Sequence, residues 1–447
     1  MHQAVQQKPT VLPFVVTNRL VLSVAVPMTL AYLTTPLIGI VDTGVVGRLG
    51  DAAILGGLAA GALTFDVVFS TFNSLRSSTT GLVAQAHGRG DTGEEQAITL
   101  RSLVAAVAIG VILIILTTPI ATLSAWFISP EPGVVDAMRT YIDIRMLAAP
   151  LTLINFSILG YVLGRGEGTL GLLFQILLNG TNILLSIWLG LGLGWGLEGV
   201  AWGTLGGELL AALVGLSVLA RRFGRAGRVP WNRVVDLPGM LRMLSLNRDI
   251  MIRSFSLLAA FALFTRQGAQ LGTATLAANA ILMNFFLVAG YFLDGFATAA
   301  EQLAGRAVGA RHEPAFRRAV WLTSVWGFAL AVIAAVILLL FGGALIRLLT
   351  TTPEVREIAG TFLPWAALTA VSGVLAFQMD GIFIGATWSR DMRNMMLLSL
   401  AAFVLWLFAA ADSYGNAGLW IAIHLFLVMR GLSLLAILPS RTRETFA

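Results

Sequence analysis

The chain has 447 residues, of which 57% are hydrophobic and 12% charged, and its mean hydropathy is +0.84. Soluble domains hold roughly 45–50% apolar and about 25% charged residues, so soluble and disordered classes are excluded. There is no cysteine, which removes disulfides, thiolate metal sites and cysteine nucleophiles. The formal charge is +6, and Lys8 is the only basic residue of 29 that is not arginine.

Apolar stretches broken by charge, Gly or Pro predict twelve membrane-spanning helices. In the first half they cover 18–46, 52–78, 96–121, 134–162, 168–191 and 197–220. In the second they cover 245–267, 274–304, 317–341, 355–386, 392–411 and 416–438. Each is near the ~20 residues a spanning helix needs, and far from the ~10 of a barrel strand. Connections after the even-numbered spans carry Arg89, Arg165, the cluster Arg221 to Arg233 that includes Arg228, the cluster Arg306 to Arg318, and Arg390. Both termini are basic, with Lys8, Arg19, Arg441 and Arg443. The alternate connections hold Asp51, Glu131, Glu198, Glu354 and Asp412 and few arginines. An even number of spans with both termini in the cytoplasm satisfies the positive-inside rule.

The sequence repeats at an offset of 221. Gln85-Ala86-His87-Gly88 then meets Arg306-Ala307-Val308-Gly309; Gly160 meets Gly381 and Gly164 meets Gly385. With one residue of slack, Leu49-Gly50 meets Leu271-Gly272. The expected fold is therefore all-α and polytopic, with two pseudo-symmetric six-helix lobes, 1–220 and 245–447, of parallel topology. The segment 221–244 is the expected basic linker on the cytoplasmic side; it holds six arginines with Pro230 and Pro238.

A charge inside a spanning helix costs at least ~2.5–3.5 kcal/mol on insertion scales and is a functional candidate by default. Asp42 stands apart, in the outer half of the first span, whose helix also contains Pro27 and Pro36. Each proline removes a backbone donor and invites a kink. A carboxyl group there is placed to exchange a proton or bind a cation. The fifth and sixth spans supply Asn179, Asn182, Ser186, Thr204 and Glu208; the first three share one helix face at i, i+3 and i+7. In the second half Asp294 and Glu301 share a face, and Asp380 lies in the tenth span. Arg76, Arg253 and Arg266 are the expected counter-charges, Asp143 and Arg145 an expected mutual pair, and Glu301 and Arg430 expected interfacial groups. Met28, Met283, Met379 and Phe377 are candidates to line a cavity. The stretch 164–168 is glycine-rich but follows a membrane helix, and no phosphate-binding GKS/T occurs, so nucleotide chemistry is not expected. His87, His312 and His424 show no ligand spacing, so no metal or other cofactor is expected.

At several places the chain resembles the multidrug and toxic compound extrusion family, in its DNA-damage-inducible protein F branch. The matching runs are Val41-Asp42-Thr43, Ser78-Thr79-Thr80-Gly81-Leu82 with Ala84-Gln85-Ala86, Tyr291 to Phe296 leading to Glu301, and Asp380-Gly381-Ile382-Phe383-Ile384-Gly385-Ala386-Thr387. The resemblance covers essentially the whole chain. It implies a twelve-helix antiporter, not an enzyme, that exports organic cations and other amphipathic compounds in exchange for H⁺ or Na⁺. It maps a coupling aspartate onto Asp42, a bending proline onto Pro27, and polar neighbours onto Asn179, Asn182 and Thr204. Many relatives carry a second aspartate where this chain has Ser186. A multidentate Na⁺ site then has one anionic ligand fewer, which favours H⁺.

The expected mechanism is alternating access, with protonation of Asp42 bending the first helix at Pro27 and releasing cargo. The expected setting is a monomer in a bacterial inner membrane, with a small-molecule cargo and no nucleic acid. The rival readings are a Na⁺-coupled exporter and a lipid-intermediate flippase, which requires a cationic cavity.

Overall fold

The computed structural model describes residues 11–128, 131–227 and 229–447; Lys8 and Arg228 lie outside them. Among the described residues there is no strand. The first half contains α1 (Asn18–Gly47), α2 (Ala52–Phe72), α3 (Ser74–Gly88), α4 (Thr92–Ile115), α5 (Thr117–Ile128), α6 (Pro132–Met146), α7 (Ala149–Gly164), α8 (Gly168–Ile187) and α9 (Gly196–Ala226). A short α10 (Trp231–Val234) leads to α11 (Leu237–Gln270), α12 (Thr273–Gly309), α13 (Glu313–Leu349), α14 (Pro353–Gly385), α15 (Ser389–Trp406) and α16 (Asp412–Phe446). A π-helical turn, Trp188–Gly192, follows α8, and another, Leu407–Ala411, joins α15 to α16.

Ten helical stretches among these residues are long and apolar enough to cross a membrane, and α6 with α7 makes an eleventh if the pair, bent by 52°, is one span. Pro150 explains the bend: it has no N–H to return to the carbonyl of Met146. The seventh predicted span falls inside α11, which is helical but is not among the apolar stretches. Two of its charges, Asp249 and Arg253, are turned onto protein, while Arg242, Arg248 and Arg266 are exposed. Asp249 accepts from Arg393 at 2.8 Å and from Ser389 at 3.0 Å, and Arg253 reaches Asp380 at 2.6 Å. Helix starts follow local chemistry. Asp51 caps α2 through Ala53 at 2.8 Å, Asp91 caps α4 through Glu94 at 2.9 Å, and Asp236 caps α11 through Gly239 at 2.8 Å.

The repeat read from the sequence reappears as repeated contacts. A methyl group on Gly160 would strike the carbonyl of Arg76, and one on Gly381 the carbonyl of Ala297. Gly164 lies on the carbonyl of Thr80, and Gly385 on that of Glu301. Residues 76 and 297, and 80 and 301, are themselves 221 apart. Gly88 abuts the carbonyl of Arg306 while Gly309 abuts that of Gln85, a reciprocal contact between equated residues. Gly50 and Gly272 both have positive φ, +73° and +109°, just past a helix end.

Helices of each half pack mainly on one another: α8 on α9, α3 and α4 on α7, and α2 on α6; then α12, α13 and α16 on α14, and α11 and α16 on α15. α1 belongs to both sets. Its Val21, Val24 and Ala25 sit in a core with Phe296, Ala299 and Phe383 of α12 and α14. Its Val45 and Val46 sit in a core with Phe65, Phe69 and Tyr141. The halves also meet along α3, which packs on α11, α12 and α14. Lipid tails are as apolar as the helices, so close backbone approach through small residues does much of the holding.

The segment 221–244 is largely helical rather than a loop, because α9 runs on to Ala226 and α11 begins at Leu237. It is tied down by charge. Arg222 meets Glu167 at 2.8 Å, Arg233 meets Asp91 at 3.5 Å, and Arg101 reaches the carbonyls of Val234 and Arg233. Partial burial pushes the Glu167 carboxyl up, but hydrogen bonds from Arg222 and Arg165 outweigh it and hold Glu167 below the usual range.

Gly309→Leu should weaken the α3–α12 contact, lowering stability by about 1–3 kcal/mol as overpacking does. Gly360→Ala, with open space around its α-carbon, should be neutral or stabilising by about 0.5–1 kcal/mol. Thermal unfolding of the two purified variants checks this; equal losses would contradict it.

Candidate functional site

Pro27 and Pro36 give α1 no N–H for the carbonyls of Ser23 and Tyr32, so its ladder is open at two places. The segment between them is held from outside. Asn179 of α8 donates its amide to the Thr34 hydroxyl at 2.5 Å, and Thr34 donates in turn to the Ala31 carbonyl at 2.6 Å.

Asp42 lies beyond Pro36 and is 5% exposed. Its polar neighbours are the Arg145 guanidinium and the Ser186 hydroxyl. Ser186 donates its proton to Asn182 Oδ1 at 3.2 Å. Asp42 Oδ1 is buried with no hydrogen-bond partner among the described residues. Asn179, Asn182 and Ser186 are all buried, so their common face looks into protein. Thr204 is buried too, but donates to its own helix at the Val200 carbonyl, 3.2 Å away. Glu208 is buried and accepts from Asn155 at 2.6 Å. Arg145 does not pair with Asp143, as its spacing predicted. Asp143 is exposed, while Arg145 reaches the Tyr141 hydroxyl at 2.9 Å and lies 4.7 Å from the Phe65 ring centre. Cation–π contact and a neutral acceptor hold this arginine, leaving its charge to act on Asp42 and Glu208.

The second half is organised differently. Asp380 Oδ2 accepts from Arg253 at 2.6 Å and also from Arg430, which lies over the Phe377 ring. Arg430 is 3% exposed and Glu301 2%, which overturns the expectation that both reach the membrane surface. Glu301 faces Arg76 at 3.6 Å. Asp294 is half-buried, and no ion pair to it occurs among the described residues. Arg266 is exposed, so only Arg76 and Arg253 of the three expected counter-charges face carboxylates. Met28 and Met379 are packed in the core and line no cavity. Three groups escaped the sequence reading: Tyr32, Thr34 and Asn155. Tyr32 stands four residues before Pro36 and Thr34 seven after Pro27, a spacing that would have found them; Asn155 carries no such signal, because its partner Glu208 lies 53 residues away.

Asp42 Oδ1 and Asp380 Oδ1 are both buried without a partner among the described residues, but Asp380 is paired with two arginines through Oδ2, whereas Asp42 has no ion pair among the described residues. Removing one member of a buried pair costs about 3–5 kcal/mol, because the partner charge stays buried. Asp380→Asn should therefore destabilise the protein by about that amount, and Asp42→Asn by less than about 1 kcal/mol, within the range of substitutions that break no network. Thermal unfolding separates the two, and a larger loss for Asp42→Asn would contradict the assignment.

Comparison with known proteins places this geometry. The chain is 36% identical over 425 residues to DNA damage-inducible protein F of Escherichia coli (strain K12), covering 92% of this chain and 90% of that one. It shares its fold with a multidrug resistance MATE family transporter of the MOP superfamily solved in an outward-facing conformation. That structure has a TM-score of 0.86 at 17% identity over 96% of both chains. A MOP superfamily transporter from Pyrococcus furiosus, described as having a binding pocket of reverse polarity, has a TM-score of 0.87 at 16% identity, covering 96% of this chain and 97% of that one. The MatE family model matches twice, at residues 27–188 and 250–410. The protein is a multi-pass membrane protein that belongs to the MatE family, the multidrug and toxic compound extrusion transporters, which are not enzymes.

Proposed function

We propose that this protein is a proton-coupled antiporter that exports amphipathic, often cationic, small molecules by alternating access. Its fold is twelve spans in two pseudo-symmetric six-helix lobes, 1–220 and 245–447, joined by 221–244, in the inner membrane with both termini cytoplasmic. Paired glycine contacts at one offset and a family model matched twice support the two lobes. Arginine-rich connections at one end support the orientation. The multidrug resistance transporter of the same fold supports the cargo class.

One observation carries the coupling: Asp42, buried, has an oxygen that no described residue satisfies, on a helix opened by two prolines. A buried carboxylate with an open oxygen is costly, and a bound proton or cation relieves that cost. In the outward-open state Asp42 takes a proton from water. The neutral group loses its attraction to Arg145, and α1 bends at Pro27. Cargo then loses its counter-charge and leaves. On the cytoplasmic side the proton departs and new cargo enters. One proton moving through 100 mV supplies about 2.3 kcal/mol, nearly two decades of gradient for a neutral cargo. Ser186, a neutral oxygen, makes a poor additional ligand for Na⁺.

In proteoliposomes, efflux of a fluorescent organic cation driven by a pH gradient should survive removal of Na⁺ and fall to the protein-free level in Asp42→Asn. Asn179→Ala, which frees Thr34, should reduce it partially. Full activity in Asp42→Asn would remove Asp42 from coupling. Dependence on Na⁺ would replace the coupling ion, and failure to move any cation would favour lipid-intermediate transport.

A further inference from the structure

The proposed mechanism does not use the polar cluster where α1, α3 and α12 cross. Glu301 of α12 stands at its centre, 2% exposed. One carboxylate oxygen lies 3.6 Å from Arg76 Nη1, beyond a hydrogen bond, and the other has no partner among the described residues. Arg76 is aimed by its own helix: Nε donates to Asn73 Oδ1 at 3.0 Å and Nη2 to the Ser77 hydroxyl at 2.9 Å, leaving Nη1 for Glu301. One turn before Glu301, the Thr298 hydroxyl meets the Tyr32 hydroxyl of α1 at 3.0 Å. Tyr32 lies between the two prolines of α1.

The charged and titratable groups around Glu301 are Tyr32 from α1, Arg76 from α3 and Arg253 from α11, with Asp294 of α12 itself acting on the same Arg76 and Tyr32. Asp380 of α14 and Arg430 of α16 act on the same cluster through Asp294. Arg253 and Arg430 both spend themselves on Asp380. Arg76 is the one cation within ion-pair distance of Glu301 among the described residues. The three arginines Arg76, Arg253 and Arg430 match Asp294, Glu301 and Asp380 in number, but buried Glu301 meets its arginine only at 3.6 Å and keeps one oxygen without a partner among the described residues, a cost that a bound proton relieves.

The place of the cluster gives that proton a consequence. The backbone carbonyl of Glu301 is the group on which Gly385 of α14 rests. One turn further, Gly305 lies against the carbonyls of Gly385 and Gly81, 3.0 and 3.3 Å from where its β-carbon would stand. Beyond that, Gln85 donates to the Gly385 carbonyl at 3.0 Å, and Arg242 reaches both Gln85 at 3.1 Å and Thr387 at 3.2 Å. The contacts that close the arginine-rich end of the two halves thus begin at Glu301 itself.

We propose that Glu301 is a proton-binding site separate from Asp42, whose ionised form holds Arg76 and keeps the arginine-rich end closed. The proton comes from water, an O–H bond forms on the carboxylate, and Arg76 loses its only ion-pair partner among the described residues. α3 is then free to part from α12. The site stands without the coupling role given to Asp42; only its place in the transport cycle rests on that reading.

The chain has no cysteine, so spin labels can be placed at will. Arg225→Cys and Arg390→Cys put one label on an exposed position at the arginine-rich end of each half. Pulsed EPR in liposomes should show the distance lengthening as pH falls. Glu301→Gln should hold the long distance at every pH, Glu301→Asp should respond with a shifted midpoint, and Asp42→Asn should respond as the unaltered protein does. A protonated-carboxyl band in infrared difference spectra should disappear in Glu301→Gln. If Glu301→Gln does not fold, the midpoint of Glu301→Asp decides. An unshifted midpoint, a pH response retained in Glu301→Gln, or a short distance fixed in that variant would overturn the proposal. Loss of the response in Asp42→Asn alone would also overturn it. Cation efflux in the same liposomes is read separately, so a failed antiporter reading and a failed Glu301 site give different results.

Discussion

The rest of the structure depends on backbone contact between the two halves at one end. Gly81, Gly88, Gly305, Gly309 and Gly385 let α3, α12 and α14 approach until carbonyls lie where β-carbons would stand. In a membrane this close approach supplies the attraction that the hydrophobic effect supplies in water. It also makes the junction sensitive, because contact of this kind is either made or lost and does not stretch. α1 adds the second link, packing one end into the core of the second half and the other into the core of the first.

The buried charges divide by how well they are satisfied. Asp380, with two arginines, and Asp249, with Arg393 and Ser389, are structural: their removal leaves a cation unpaired. Asp42 and Glu301, on elements that join the halves, keep an oxygen open as Asp380 does, but no arginine among the described residues comes within hydrogen-bond distance of either. In a low-dielectric interior such a group is unstable unless something is meant to arrive. Asp42 lies on the flexible helix and Glu301 beside the glycine contact, so one is placed to feel cargo and the other to feel closure.

Much of this was legible in the sequence. Apolar runs gave the helices, the arginine pattern gave two unlike ends, and the offset between Gly160 and Gly381 reported a shared contact with a carbonyl. The single-residue setting of Asp42 was legible because a lone carboxyl among apolar neighbours has no local explanation. What failed depended on partners distant in sequence. Glu301 and Arg430 looked interfacial by their distance from a helix end, yet Arg76 and Asp380 lie 225 and 50 residues away, beyond any helical spacing. Asp143 and Arg145 looked paired because they are two apart, but residues two apart on a helix point to different sides. α11 passed as an ordinary span because the partners of Asp249 and Arg253, Arg393 and Asp380, lie more than a hundred residues away.

The central claim is that a proton and the cargo compete for Asp42. Adding a fluorescent organic cation to the purified protein in weakly buffered solution, with a pH-sensitive dye present, measures this directly. The account predicts that cargo binding releases protons from the unaltered protein and none from Asp42→Asn. Equal proton release from both would contradict it.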